Sequence, residues 1–430
     1  SASVSFVFTD AFDLSSKLLT YGKIRGSFSE VGNDTGPYQL TPVYLVNSNG
    51  ITSPSPDATA MPFNGVSGST LSNIERNPDL RPERTREYEL GLELKLWESK
   101  IGLDASVYTR ESRDQIIPIS IPRSSGFSSL FTNAGVVSNK GVEVGLDITP
   151  VELQNSFRWN LYGTFTLNRN EIQSLVEGTD ELILRNTFAG SVQAVHIVGQ
   201  PYGLIKGTVS ARDDEGNLLI DPSNGQLIND LTPRVIGNPN PDYIVGLTNT
   251  LSWKGLSLSF VFDWKQGGDM YSVTNLSLLG RGVTTDSEDR EVNVIIPGVY
   301  GDPNTAEPIR DENGNKTQNT TAIEVNGLYF GNSFAINGQD EWSVWDATVI
   351  RLREVGLSYT LPASLIDKTP FGSASISLTG RNLWYNAPNF PKGSNFDPET
   401  SQFGNSNAQG FEFTSAPSVK RYGVNLRFTF

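Results

Sequence analysis

Tyr422-Gly423-Val424-Asn425-Leu426-Arg427-Phe428-Thr429-Phe430 closes the chain. Side chains along a strand alternate between two faces. Tyr422, Val424, Leu426, Phe428 and Phe430 therefore share one face, and Gly423, Asn425, Arg427 and Thr429 the other. An apolar face against a small or polar one, ending on an aromatic, is what the closing strand of a membrane β-barrel needs. A terminal strand of a soluble sandwich would share the pattern, so the rest of the chain must separate the two.

The same alternation recurs upstream. Residues 372–382 set Ala374, Ile376 and Leu378 against Ser375, Ser377, Thr379 and Arg381. Residues 255–266, 241–252, 156–168 and 137–149 repeat the pattern, and 84–97 is the clearest. There Tyr88, Leu90, Leu92, Leu94 and Leu96 oppose Glu87, Glu89, Glu93 and Lys95. Residues 100–111, 19–30 and 1–9 complete the set. The strand expected over 345–360 changes phase between Leu352 and Val355, and a bulge near Arg353–Glu354 restores it. Several strands reach ~10 residues, the length of a tilted membrane strand. Ordinary sheet strands average ~5–6.

Short connections fall near 10–18, 98–99, 150–155, 253–255 and 361–371. Long ones fall near 31–83, 112–136, 169–240, 267–344 and 383–418. This alternation is the outer-membrane pattern of periplasmic turns and extracellular loops. A compact soluble domain rarely carries several connections far beyond ~15 residues. Trp97 and Trp253 are expected at the periplasmic strand ends, and Trp264, Trp345 and Trp384 at the outer ends, as two aromatic girdles.

The reading is an all-β, antiparallel, up-and-down transmembrane barrel, with residues 1–430 as one domain. About eleven strands are expected, whereas single-chain bacterial barrels have an even number. An open edge in lipid leaves backbone groups unsatisfied. The chain is therefore expected to be the C-terminal part of a larger barrel, with the remainder N-terminal. Ser1 is not expected to start a secretory precursor, since no charged-then-apolar segment follows it.

Composition narrows the classes. The chain has 430 residues, 37% of them hydrophobic, and a net charge of −14. No apolar run approaches the ~18 residues of a spanning helix. The acidic balance and lack of a basic stripe exclude a nucleic-acid binder. An acidic outer surface suits solvated loops, or contact with lipopolysaccharide phosphates through bridging cations. Cysteine is absent, which removes disulfides and thiolate chemistry.

Several segments carry a family resemblance. "NPDLRPERTREYELGLEL" (77–94) resembles the entry strand of TonB-dependent outer-membrane receptors. "NAGVVSNKGVEVGLDITP" (133–150), "VGQPYGLIKG" (198–207), "GDPNTAEPI" (301–309), "LREVGLSYTLP" (352–362), "SLTGRNLW" (377–384), "FDPET" (396–400) and the closing strand resemble the SusC/RagA branch of Bacteroidota. The resemblance implies a barrel of about 22 strands with a plugged lumen. This chain would supply the C-terminal half and lacks the plug. The resemblance also implies TonB-dependent uptake of oligosaccharides or peptides, with a SusD-like lipoprotein lid. TonB–ExbB–ExbD would act through the absent N-terminal part. The C-terminus would be periplasmic, and Tyr422, Val424, Leu426, Phe428 and Phe430 would form the barrel-assembly signal. Another reading is a barrel of the same lineage used in secretion, adhesion or assembly.

Pro78 and Pro82 precede a strand, where a missing N–H costs no ladder bond. Glu87 and Glu89 are expected to face the lumen and its plug. His196, the sole histidine, has no ligand-spaced partner and is not expected to be catalytic. No enzyme activity and no resident cofactor is expected. Asp311, Asn313 and Asn315 mimic the first ligands of a calcium loop, but the glycine is misplaced and no distal Glu follows at the required spacing. Tyr329, Phe330 and Trp342, in or beside the 267–344 loop, are candidates either to stack on sugars or to pack the loop onto a lid partner.

Overall fold

The computed structural model describes residues 1–47, 66, 68–153, 156–186, 191–330, 338–394, 396–404 and 406–430. Eleven strands form one continuous antiparallel sheet. They are β1 (Ala2–Val7), β2 (Leu19–Asn33), β3 (Glu83–Leu96), β4 (Ile101–Arg113), β5 (Val136–Glu152) and β6 (Phe157–Ser174). Then come β7 (Pro241–Trp253), β8 (Leu256–Gly267), β9 (Val349–Thr360), β10 (Ser373–Asn386) and β11 (Arg421–Thr429). Each pairs with its neighbours in chain order, and among the described residues β1 and β11 are the sheet's edges. The count, the antiparallel order and the strand positions follow the alternation in the sequence.

The register puts the apolar parity on the outer surface throughout. Phe28, Tyr88 and Thr109 stand in one row, and Gly26, Leu90 and Val107 in the next. Tyr88 and Leu90 are each 57% exposed and Val424 is 68% exposed. An apolar face this continuous is stable only against lipid.

The opposite face is polar and largely self-neutralised. Lys23 lies 2.5 Å from Glu93, and Arg110 lies 2.5 Å from Glu87. Arg25 reaches Asp104 at 2.8 Å and Glu89 at 3.5 Å. It crosses β3 at Gly91, where a Cβ would stand 2.5 Å from the Arg25 Nε. Glu87 and Glu89 thus occupy the lumenal face, already matched by arginines of the wall.

The expected bulge is present and centred on one residue. Glu354 pairs with Val261 and Leu352 with Phe262, while Arg353 is skipped. The extra residue restores the outward parity of Val355, Leu357 and Tyr359. The strand expected over 345–360 is really two elements. Val344–Asp346 pairs with Asp269–Ser272 away from the barrel sheet. Between them the Asp346 carboxylate accepts bonds from the Thr348 amide (2.8 Å) and hydroxyl (2.6 Å), which turns the chain. Trp345 consequently leaves the girdle and packs on Phe390, ring centroids 5.9 Å apart.

Turns at the sheet end nearest Phe430 are tight. Lys254 and Gly255 both take positive φ (46° and 87°) in a two-residue hairpin between β7 and β8, which matches strand twist. Trp97 and Trp253 are half exposed there. Phe371 packs on Phe428 (4.8 Å) and Phe430 (5.3 Å).

Candidate functional site

At the other end the connections between β6 and β7, β8 and β9, and β10 and β11 are far from structureless. They fold against one another. Glu181–Asn186, Gln193–Ile197, Leu204–Ser210 and Asn229–Gly237 form an antiparallel sheet. Asp269–Ser272 lies between Val344–Asp346 and Phe411–Glu412. Leu219–Ile220 pairs in parallel with Val299–Tyr300. One apolar core draws Val192, Ala194 and Ile205 from the first connection, Tyr271 from the second, and Ala408 and Phe411 from the third. Residues this buried are each worth about 1.5–3 kcal/mol for a large apolar side chain, so the three connections stabilise one another.

Two carboxylates tie the lobe together. Glu412 is fully buried. It accepts from Ser272 Oγ (2.8 Å), Thr274 Oγ1 (2.6 Å), and the amides of Thr274 (3.1 Å) and Ser415 (2.5 Å). It lies at the start of helix α1 (Val273–Gly280), whose exposed amides favour an anion. Asp340 accepts from the Thr208 amide (2.9 Å) and hydroxyl (2.7 Å), and from Ser191 Oγ (3.1 Å).

His196 lies inside this lobe, 1% exposed, with its ring 4.0 Å from that of Tyr202. Its Nε2 has no hydrogen-bond partner among the described residues. Burial pushes its pKa down to about 4. It is a neutral core residue.

The acidic turns are closed on themselves. Asp311 Oδ1 accepts from the amides of Asn313 (2.9 Å) and Asn315 (2.8 Å), and Asp213 Oδ1 from those of Glu215 (2.9 Å) and Asn217 (2.8 Å). This is Asx-turn chemistry. Lys316 bridges the turns, 2.9 Å from Asp213 and 2.5 Å from Asp214. Burial works to raise the Asp213 pKa, but bonds from Asn217, Lys316 and the backbone outweigh it and hold the carboxyl well below its usual range. Among the described residues no cluster of three or more His, Asp or Glu side chains is arranged to hold a metal ion. The Asp311, Asn313 and Asn315 side chains lie in an ordinary turn.

The candidate ligand site is a cleft of about 350 Å³ beside α1. Arg281, Arg290, Val325, Asn326, Tyr329 and Phe330 line it. The chain turns out of α1 through Gly282 (φ 66°), whose carbonyl accepts from Arg290 Nη2 at 2.9 Å. Burial, then the nearby Asp286 charge, raises the Tyr329 pKa. Phe330 is 63% exposed. Aromatic faces beside guanidinium groups can stack on a planar or sugar ring and grip an anionic or carbonyl oxygen. Of the three aromatics singled out from the sequence, Tyr329 and Phe330 meet here. Trp342 does not. Its Nε1 donates to Ser210 Oγ at 2.8 Å, and its ring packs against the Ile220, Leu227, Ile296 and Ile323 core. Arg281 and Arg290 were not legible as site residues; the Gly280-Arg281-Gly282 helix exit was their only local signal.

A second, polar cleft of about 520 Å³ is lined among others by Asp221, Asn224, Asn229, Asp230 and Asn304.

An eleven-stranded antiparallel sheet with an apolar outside, a polar inside and a folded lobe at one end defines the class: an outer-membrane β-barrel, long connections extracellular and C-terminus periplasmic. Residues 1–191 match the family described as "TonB dependent receptor-like, beta-barrel". TonB-dependent receptor P3 of Formosa agariphila is 24% identical over 442 residues, covering 96% of this chain and 40% of the relative. TonB-dependent receptor SusC of Bacteroides thetaiotaomicron is 26% identical over 243 residues, covering 54% of this chain and 23% of the relative. The structure of the RagAB peptide transporter superposes over all of this chain and 43% of its own, with a TM-score of 0.67 and 20% identity. Residues 1–191 thus match the barrel of TonB-dependent receptors, and the similar relatives and the similar solved structure are consistent with the SusC/RagA type. It spans about 40% of the length of the relatives it matches over nearly its whole length.

Proposed function

We propose that this chain is the C-terminal barrel wall and outer vestibule of a TonB-dependent importer. The wall lines a lumen closed by a plug contributed from outside this chain. The lobe built from three connections forms the mouth where nutrient is received, beneath a SusD-like lipoprotein lid, and TonB–ExbB–ExbD drives the passage. The cargo class is oligosaccharide or peptide. The observation that carries this reading is the single core shared by Ile205, Tyr271 and Phe411, one from each connection. A rigid mouth above a polar-walled barrel is the scaffold that presents a binding surface. The resemblance to SusC and to the RagAB peptide transporter supports it.

The test is uptake by cells carrying the intact protein. Deleting the gene should abolish growth on one class of oligosaccharide or peptide, and so should removing TonB. Growth on every such substrate unchanged without the gene would sink the importer reading and favour a role in adhesion, secretion or assembly.

A further inference from the structure

Arg281 and Arg290 both line the cleft beside α1, and neither forms an ion pair among the described residues. Acidic neighbours are not lacking. Asp286, Glu288, Asp289 and Glu291 lie within five residues of Arg290 and are all exposed. In a chain of net charge −14, two cations left open in one cleft need an account.

The end of α1 supplies only part of it. A cation near a helix C-terminus is favoured by the dipole, which suits Arg281. The last carbonyls of α1 nevertheless accept from backbone amides: Ser277 from Arg281 at 3.0 Å, Leu279 from Gly282 at 3.0 Å and Leu278 from Val283 at 3.1 Å. Arg290 gives one bond, from Nη2 to the Gly282 carbonyl at 2.9 Å. That bond fixes where the group sits, since a Cβ at Gly282 would stand 3.2 Å from the Arg290 Cζ. A guanidinium carries five N–H donors, so most of them remain available to a ligand.

Two aromatic rings share the cleft. Tyr329 packs against Leu276 and Leu279, which holds its ring in place. Phe330, next in the chain, is largely exposed. Asn326 adds an exposed side-chain amide. A sugar ring can lay its C–H face on such aromatics, and its hydroxyls can bond the amide. An acid group carried on that sugar then meets a guanidinium fork.

The backbone disfavours an extended peptide. Such a peptide is commonly gripped by strand addition at a free sheet edge. None of the residues lining this cleft lies in a strand. The cleft, about 350 Å³, is also at the small end of ligand pockets, about 300–1,000 Å³. It suits a short end of a chain.

We propose that this cleft selects acidic oligosaccharides. Arg281 and Arg290 read a carboxylate or sulfate on a sugar ring, and Tyr329 and Phe330 stack on the ring itself. The inference rests on the importer reading and narrows its cargo.

The intact outer-membrane protein that contains this chain is purified in detergent and titrated, with bound species read by native mass spectrometry. The probes are oligogalacturonate, sulfated galactan oligomers, their methyl-esterified and desulfated counterparts, and triglutamate. At least one acidic sugar should bind, and its neutral counterpart should bind about tenfold or more weakly, the scale of a lost charge-assisted contact. R281Q/R290Q should abolish that preference, and Phe330→Leu should weaken both members of the pair. Arg123→Gln, which removes a charge from another connection, should change nothing. Folding of each variant is read from its heat-modifiable gel mobility. If the double glutamine variant misfolds, R281K/R290K keeps the charge without the forks and should narrow the preference. Binding of no acidic sugar, equal binding of the neutral counterparts, a preference intact in the folded variant, or triglutamate binding as well as the sugars would overturn the proposal. TonB-dependent growth on neutral oligosaccharides or peptides alone would leave the importer standing while this proposal falls. Acid-selective binding without TonB-dependent growth on any of these compounds would support the site and sink the importer reading.

Discussion

The Nη2 of Arg353, the residue that both neighbouring strands skip, donates to Asp263 Oδ2 on β8 at 2.9 Å. The bulge thus carries a cation onto the lumenal face, where Arg353 also meets Glu399 of the β10–β11 connection. Next to it Arg351, 3% exposed, pairs with Asp397. The phase change visible in the sequence is the point where the wall grips a loop.

Replacing Arg353 by Ala leaves Asp263 and Glu399 facing each other's field without a counter-charge. The site is about one-third exposed, so solvent screening limits the loss to about 1 kcal/mol. We expect a lower urea midpoint for the barrel, followed by tryptophan fluorescence, and earlier proteolysis within 387–420. An unchanged cleavage pattern there would mean that the loop is held elsewhere.

Glu412→Gln should loosen the lobe more than any surface change. The amide would turn an N–H₂ toward donors that now point at a carboxylate, leaving buried groups unmatched at about 1–3 kcal/mol. Limited proteolysis should open 175–240, 268–348 and 387–420 together while the barrel core stays protected. Cleavage confined to 387–420 would contradict the shared core.

His196 gives the lobe a pH dependence whose sign is fixed. Its pKa falls from 6.5 to about 4 on folding. The unfolded lobe therefore binds more protons than the folded one between those values, and stability present above pH 6.5 is lost as pH falls toward 4. The full effect is about 3 kcal/mol. Protection of the Gln193–Ile197 amides, corrected for intrinsic exchange at each pH, should fall over that window in the parent, and much less in His196→Phe.

Gly91→Ala places a methyl where the Arg25 guanidinium crosses β3. We expect Arg25 to leave Asp104 and the barrel to lose about 1 kcal/mol, partly from the pair and partly from crowding. An Arg25→Ala variant made alongside should remove the sensitivity to residue 91. Full additivity of the two changes would refute the contact.

Tyr329→Ala and Arg290→Ala test the cleft beside α1. Each should reduce uptake severalfold at limiting nutrient while leaving barrel folding and surface abundance unchanged. Equal uptake at limiting concentration would move the search to the polar cleft at Asp230 and Asn304.

The barrel was legible because its information is local. A strand such as Glu83–Leu96 writes its two faces into every second residue, and a turn such as Lys254-Gly255 is complete in two. The lobe was not, because its pairings join residues far apart in sequence: Tyr271 with Phe411, Thr208 with Asp340, Leu219 with Val299. Several of its strands, such as Asp269–Ser272, Val344–Asp346 and Phe411–Glu412, have only two to four residues and leave no periodicity to read. That is why the sequence points Trp345 to the girdle and leaves Trp342 open between stacking and packing, when each is held by a distant partner. Tyr329 and Phe330 were found only as aromatics in a loop; the arginines that complete their cleft had no pattern to mark them.

The shared core of the three connections also bears on how such a mouth can diversify. A segment transplanted alone from a relative would arrive without the halves of the pairings it needs, such as Ser272 without Glu412 or Thr208 without Asp340. Inheritance of a new specificity is then confined to two routes. Either the three segments travel as one block, or the frame stays and individual side chains on its rims are exchanged.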